Sequence, residues 1–472
     1  MILSVSELDS EYVPDVCIIG SGPAGISLAL TLHAAGKDVL VLEGGADALT
    51  GESQDLYRGE VRGDYSDPTE SRLRFFGGSS NHWSGRCRPL DAVDFDGIEG
   101  VAETGWPITK ANLDPYDARA REILELGTAV ADTPHSGAFQ QVAFDFSDPP
   151  VQFRGKYTDR FAEAEALSVC FNANLTDLET EAGRVTAAQF SDYDGTTVRL
   201  RARVFVLACG GIENSRLLLH FNARSDGRLI PEAGTLGRYF FDHPGLVVGE
   251  ALLDTPQEER IWLALDAQAL RAQGLRNCSL SLVPAPESES RLRAAAQDLA
   301  CLAPRVGPWL WERMGRSLYC GARIYVTCDQ LPQPDNRITL SETMRDSFGI
   351  PAPVIHIRPA PEDLRNVREI ALLYGAEIAR RDQGRLRLIP ELAEPPDAVP
   401  DSWNTGTSHH MGGTRMSARA GDGIVDADLR VWGQDNLYVA GSSVFPSGGH
   451  ANPTFTIVQL SLRLADHLAT QL

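Results

Sequence analysis

Asp15-Val-Cys-Ile-Ile-Gly-Ser-Gly-Pro-Ala-Gly25 runs from four consecutive apolar residues into glycines at positions 20, 22 and 25. A short apolar run entering a glycine turn predicts a buried strand, and Ile26, Ala29, Leu30 and Leu32 behind it predict a helix that Gly36 closes. Val39-Leu-Val-Leu42 then supplies a second strand with Glu43 at its end, 23 residues after Gly20. Strand, turn, helix, strand and terminal acid together make a βαβ dinucleotide-binding unit. Gly20 permits the tight turn, Gly22 lets the backbone approach a pyrophosphate, and Gly25 lets the helix pack on the strand. Pro23 and Ala24 open the helix beside the same phosphates, and Glu43 is placed to accept from ribose hydroxyls. A glutamate there repels a 2′-phosphate, which leaves NAD or FAD.

The pattern farther along chooses between these two. Residues 166–208 alternate apolar and polar with turn signals at Ala182-Gly183 and Asp194-Gly195, the pattern of a β-meander. The meander ends in Val204-Phe-Val-Leu-Ala208-Cys-Gly210-Gly211, a buried strand entering a second glycine turn and a helix over about 212–219. A meander that returns to the sheet in this way completes an FAD fold. There is no second GxGxxG, so no separate nicotinamide domain is expected, and electrons must enter from the substrate. Asn436-Leu-Tyr-Val-Ala-Gly441 predicts a last strand and Pro453 to Leu468 a last helix, so the nucleotide domain is discontinuous. Its segments are 12–90, 165–245 and 400–472. A substrate-binding domain takes 91–164 and 246–399, where prolines are scattered and Trp309 and Trp311 are candidate pocket residues.

Composition narrows the partners. The 43 basic and 64 acidic residues leave a net charge of −21, which repels nucleic acid and anionic lipid. The longest apolar stretch, around 24–32, is too short for the ~20 residues of a membrane span. Eight cysteines without a CxxC pair, and an N-terminus without a basic leader, predict reduced thiols in a cytoplasmic protein with no metal site.

Further motifs follow in order: Phe76-Gly-Gly-Ser-Ser-Asn-His-Trp83, Cys209-Gly-Gly-Ile-Glu-Asn-Ser-Arg216, His410-Met-Gly-Gly-Thr-Arg-Met416, and Asn452-Pro-Thr ahead of the final helix. With the first turn and Glu43 they resemble the glucose-methanol-choline (GMC) oxidoreductases, flavoenzymes that oxidise alcohols. The resemblance implies an α/β FAD-binding Rossmann-like fold with an α+β substrate domain, related in architecture to p-hydroxybenzoate hydroxylase. In that family a histidine three residues ahead of Gly-Thr is the base, which selects His410 because Gly413-Thr414 follows, and passes over His409. The second catalytic member lies fourteen residues before the aspartate near the end of the final helix. Counting back from Asp466 selects Asn452, with His450 off register and expected to be structural.

These residue types suit alcohol oxidation. A hydride leaves carbon easily only as negative charge builds on oxygen, and neutral His410, with an ordinary pKa of about 6.5, can take the hydroxyl proton. Asn452 can orient the same oxygen. The resemblance sends the hydride to flavin N5 and passes Gly78, Ser79, Asn81, His82, Trp83 and Ser84 over the flavin ring, with Ser84 near N5. Ala208, Gly210, Gly441, Ser442, Pro453 and Thr454 complete the expected FAD contacts. Asn452 as N-cap and Pro453 in the first turn would aim a helix dipole at the flavin's pyrimidine edge.

His82-Trp83 resembles the pyranose oxidases, in which the corresponding histidine holds the flavin covalently, and equally sugar dehydrogenases without that bond. The substrate thus leans toward a sugar, glycoside, cyclitol or other polyhydroxylated alcohol, with oxygen or another acceptor reoxidising the flavin. Competing readings are an aryl or aliphatic alcohol substrate, a hydroxynitrile lyase of the same fold, and an FAD-binding protein without chemistry.

Overall fold

The computed structural model describes residues 1–472 apart from 64, 99–100, 102–103, 256, 285–295, 298, 302, 304–305, 316–317, 319–320 and 397–406. The glycine turn at its centre follows from sterics. Gly20 has φ +104°, and a Cβ there would lie 2.5 Å from the carbonyl oxygen of Ala208. A Cβ on Gly25 would meet the carbonyl oxygen of Gly20 at 2.0 Å, so strand and helix approach each other only because both residues are glycine. The helix Pro23–Ala34 carries the chain back to Val39–Leu42, parallel to Val16–Ile19.

Six strands form the nucleotide sheet in the spatial order Ile2–Leu3, Leu167–Cys170, Val39–Leu42, Val16–Ile19, Val204–Leu207, Leu437–Val439, every neighbour parallel. All but the Ile2–Leu3 edge are buried along their whole length, as expected of a parallel sheet covered on both faces. The helix Thr454–Gln471 packs against Pro23–Ala34. The meander is present as Asn174–Glu181, Arg184–Ser191 and Thr197–Leu200. Its first hairpin turns at Ala182 (φ 49°) and Gly183 (φ 78°), both left-handed, which matches the twist of the strands.

A second sheet has seven antiparallel strands. Its order is Gly384–Leu388, Gly245–Leu253, Ala322–Cys328, Cys278–Val283, Ile261–Leu265, Phe139–Gln141, Thr133–Ser136. The helix Pro361–Arg380 lays Leu364, Val367, Ile370 and Tyr374 on one face of this sheet, against Val248, Leu263, Leu280, Ile324 and Val326. Strand alternation then turns Val247, Val283, Arg323, Tyr325 and Thr327 to the other face, over a cavity.

Two expectations need correction. Cys301 is disulfide-bonded, so the chain is not wholly reduced; Cys17, Cys87, Cys170, Cys209, Cys278 and Cys328 are free. Trp309 is exposed on the helix Val306–Arg313 and Trp311 is buried, and neither lines the cavities described below. Among the described residues no helix is long and apolar enough to cross a membrane, and no cluster of side chains could hold a metal ion.

Candidate active site

Three helices start at one cavity of about 450 Å³: Pro23–Ala34, Gly211–Arg224 and Thr454–Gln471. None of the three has a side-chain cap, so unpaired backbone N–H groups and the positive ends of three helix dipoles converge there. Gly22 has nothing within 4 Å of the position a Cβ would take. It is the fingerprint glycine that faces open space. An uncapped helix start beside a bare glycine is what a pyrophosphate requires, and the residues fit FAD.

Most of the expected contacts line this cavity: Gly20, Gly22, Pro23, Ala24, Glu43, Gly78, Ser79, His82, Trp83, Ser84, Ala208, Gly210, Gly441, Ser442, Pro453 and Thr454. Glu43 is buried, with Oε2 accepting from Ser21 N and Oγ at 3.0 and 2.6 Å and Oε1 from Gly45 N at 2.8 Å. Two expected contacts are corrected. Gly25 is closed off against Gly20 and serves the turn. Asn81 is also not part of the lining; its amide donates to the carbonyls of Phe76 and Gly78 and braces the loop that presents His82.

The two adjacent histidines both reach the cavity but meet different partners. His410 places Nε2 3.2 Å from Ser71 Oγ and stacks on Phe240, with Tyr65 at its edge. His409, not His410, faces Asn452: its Nε2 lies 3.2 Å from Asn452 Nδ2. His410 and Asn452, expected to act on one substrate oxygen, both line this cavity but are not hydrogen-bonded to each other. Neighbouring side chains on an extended segment point opposite ways, so the two histidines meet different partners. Asn452 is also not the N-cap. Pro453 holds that position, which frees the Asn452 side chain for the cavity.

The hydrogen bonds around His409 fix its tautomer. Burial pushes the His243 pKa down to about 3, so that ring is neutral. Its Nε2 lies 3.3 Å from the carbonyl oxygen of Gly448 and must donate, leaving Nδ1 as an acceptor 3.0 Å from Nδ1 of His409. Thr407 Oγ1 donates to Asp242 Oδ1 at 2.6 Å and so accepts from the same His409 Nδ1 at 3.2 Å. His409 thus carries its proton on Nδ1 and a lone pair on Nε2. Arg86 donates Nε and Nη2 to Asn452 Oδ1 at 3.1 and 3.0 Å, which turns the amide N–H toward that lone pair. Burial, His243, Arg86 and His410 hold the His409 pKa well below the ordinary histidine value, and burial with Arg72 lowers His410 to about 3.

A second cavity, of about 490 Å³, opens beneath the antiparallel sheet and shares Ser84, Thr407, His409 and Asn452 with the first. His409 and Asn452 therefore stand where the two meet, whereas His410 lines only the first. His450 lines neither; it is buried, 3.3 Å from Asp91. Sequence reading missed Arg86, Thr407, Asp242 and His243. Arg86 sits two residues past Ser84, and that proximity was its one available signal.

The chain is similar to known proteins along most of its length. A family model described as GMC oxidoreductase matches residues 332–461, and one described as FAD dependent oxidoreductase matches residues 15–239. The chain is 28% identical to the fructose dehydrogenase large subunit of Gluconobacter japonicus over 68% of its own length and 57% of that protein's. It is also 28% identical to paromamine 6'-oxidase of Streptomyces fradiae, covering 98% of this chain and 93% of that one. Among solved structures, a formate oxidase superposes with a TM-score of 0.63 at 16% identity, covering 98% of this chain and 99% of that one.

Proposed function

We propose that the chain, an FAD-dependent oxidoreductase of the GMC family, oxidises a hydroxyl of a polyhydroxylated small molecule to a carbonyl, with His409 as base and Asn452 as its partner. The observation that carries this reading is the lone pair on His409 Nε2 beside Asn452 Nδ2 at the meeting of the two cavities. An alcohol oxygen bridging the two atoms gives its proton to Nε2 and accepts from Nδ2. The growing negative charge on oxygen then drives the carbon-bound hydrogen out with its electron pair. Bound FAD supplies the two-electron acceptor for that pair. The proton on Nε2 makes an imidazolium whose Nδ1–H points through Thr407 Oγ1 to the Asp242 carboxylate, which compensates the new charge.

The polyhydroxylated substrate is supported by the relatives named for fructose and paromamine oxidation. His82, exposed on the wall of the first cavity, is the residue we assign to a covalent link with the cofactor. Acid precipitation tests this link: colour that stays with the protein and is lost in His82→Ala supports it. The test of the function is anaerobic bleaching of the flavin by sugars, glycosides and simple alcohols. An unchanged spectrum across the panel overturns the reading and leaves the lyase and the FAD-binding protein without chemistry.

A further inference from the structure

The second cavity carries a charge that alcohol oxidation alone does not call for. Three of its lining side chains are arginines, Arg86, Arg260 and Arg323, and none is aspartate or glutamate. Other arginines in the fold meet carboxylates: Arg88 pairs with Asp91 and Asp132, Arg216 with Glu213, and Arg276 with Asp363. Arg86 instead meets the neutral amide oxygen of Asn452, and Arg260 donates Nε to the hydroxyl of Ser281 at 2.5 Å. Among the described residues neither has a carboxylate partner, in a chain with 64 acidic side chains.

The two guanidinium groups are also held. Arg86 lies over the Phe144 ring at 4.7 Å, and both sit against the indole of Trp262, Arg86 at 5.9 Å and Arg260 at 5.1 Å. Burial lowers the pKa of each, and Arg260 repels Arg86. Half-buried Arg86 and exposed Arg260 carry like charges on one cavity wall, and an oxyanion between them would offset their repulsion. Planar guanidinium forks match the oxygens of carboxylate or phosphate.

Building on the alcohol oxidation argued above, we propose that the substrate is an acidic alcohol whose carboxylate or phosphate docks between Arg86 and Arg260 while its hydroxyl reaches His409 and Asn452. Arg86 spans both tasks, since Nε and Nη2 orient Asn452 while Nη1 remains for the anion. The net charge of −21 repels such a substrate at long range, so the arginines must supply the attraction locally.

Anaerobic flavin reduction by matched compounds tests this: glucose against glucuronate and glucose 6-phosphate, and glycerol against glycerate and glycerol 3-phosphate. The acidic member of a pair should saturate at a concentration about tenfold or more lower than its neutral partner. Whether the carboxylate or the phosphate member leads identifies the anion. Arg260→Gln should raise half-saturation by the acid about tenfold with little change in limiting rate, Arg260→Lys should recover part of the loss, and the neutral partner should be unaffected. Acetate and sulfate, which cannot be oxidised, should perturb the flavin absorbance of the wild type more than that of Arg260→Gln. Neutral compounds that match or beat their acids, or an Arg260→Gln enzyme indistinguishable from wild type, overturn the proposal. If no alcohol of either kind bleaches the flavin, the proposed oxidation itself fails.

Discussion

His409 and His410 differ by one position in the chain and by a whole set of partners. Asn452, His243 and Thr407 surround His409, while Ser71, Phe240 and Tyr65 surround His410. Replacing His409 with alanine should slow flavin reduction by about 10² to 10⁴, and His410→Ala by much less, as read by anaerobic stopped flow. A larger loss in His410→Ala reverses the assignment. The base must be neutral to accept a proton, so activity falls only when His409 is protonated. Because its pKa is lowered well below the ordinary value, protonation of His409 should cost activity only well under pH 6.5, whereas Asp242, raised to about 6 by burial, should add an acid limb of its own. An acid limb centred near 6.5 that persists in Asp242→Asn contradicts the buried setting of His409. The pairing partner, Asn452, was legible by spacing, but which of two adjacent histidines faces it was not. That choice depends on which way the extended segment is turned, and the β-bridge of Met411 with Phe241 sets it.

At the scale of elements, the first glycine turn separates folding from binding. Gly25→Ala puts a methyl group 2.0 Å from the carbonyl of Gly20 and should abolish soluble, folded protein. Gly22→Ala meets nothing within 4 Å, so it should keep the wild-type melting temperature of the cofactor-free protein yet lose FAD, measured as flavin per protein. Equal stability loss in both variants refutes the distinction. The turn, both flanking strands and the meander were legible because each is specified by residues close in sequence. The antiparallel sheet was not, since its strands come from between 133 and 388 and pair out of chain order. Its alternation of Ile324 and Val326 with Arg323, Tyr325 and Thr327 becomes informative only once the helix Pro361–Arg380 marks one face as core.

At the scale of the molecule, Asp329 ties the antiparallel sheet to the segment that delivers Asn452. It follows the strand Ala322–Cys328, is buried, and accepts from Gly448 N at 3.0 Å. Burial raises its pKa to about 7, above the value of about 3.9 expected when unfolded. The folded state therefore holds the proton more tightly, and the stability this contributes is lost as pH rises through 7. Asp329→Asn should gain melting temperature relative to wild type between pH 5 and pH 8, and a pH-independent difference would refute the buried, protonated aspartate.

The sequence by itself determined the FAD fold, its nucleotide turn and the class of chemistry, because short-range steric and hydrogen-bond rules act on contiguous residues. Only the tertiary structure decided that His409 rather than His410 meets Asn452 and that Arg86 and Arg260 join them. Those contacts bring together residues 86, 260, 409 and 452, and no local rule connects positions so far apart in the chain.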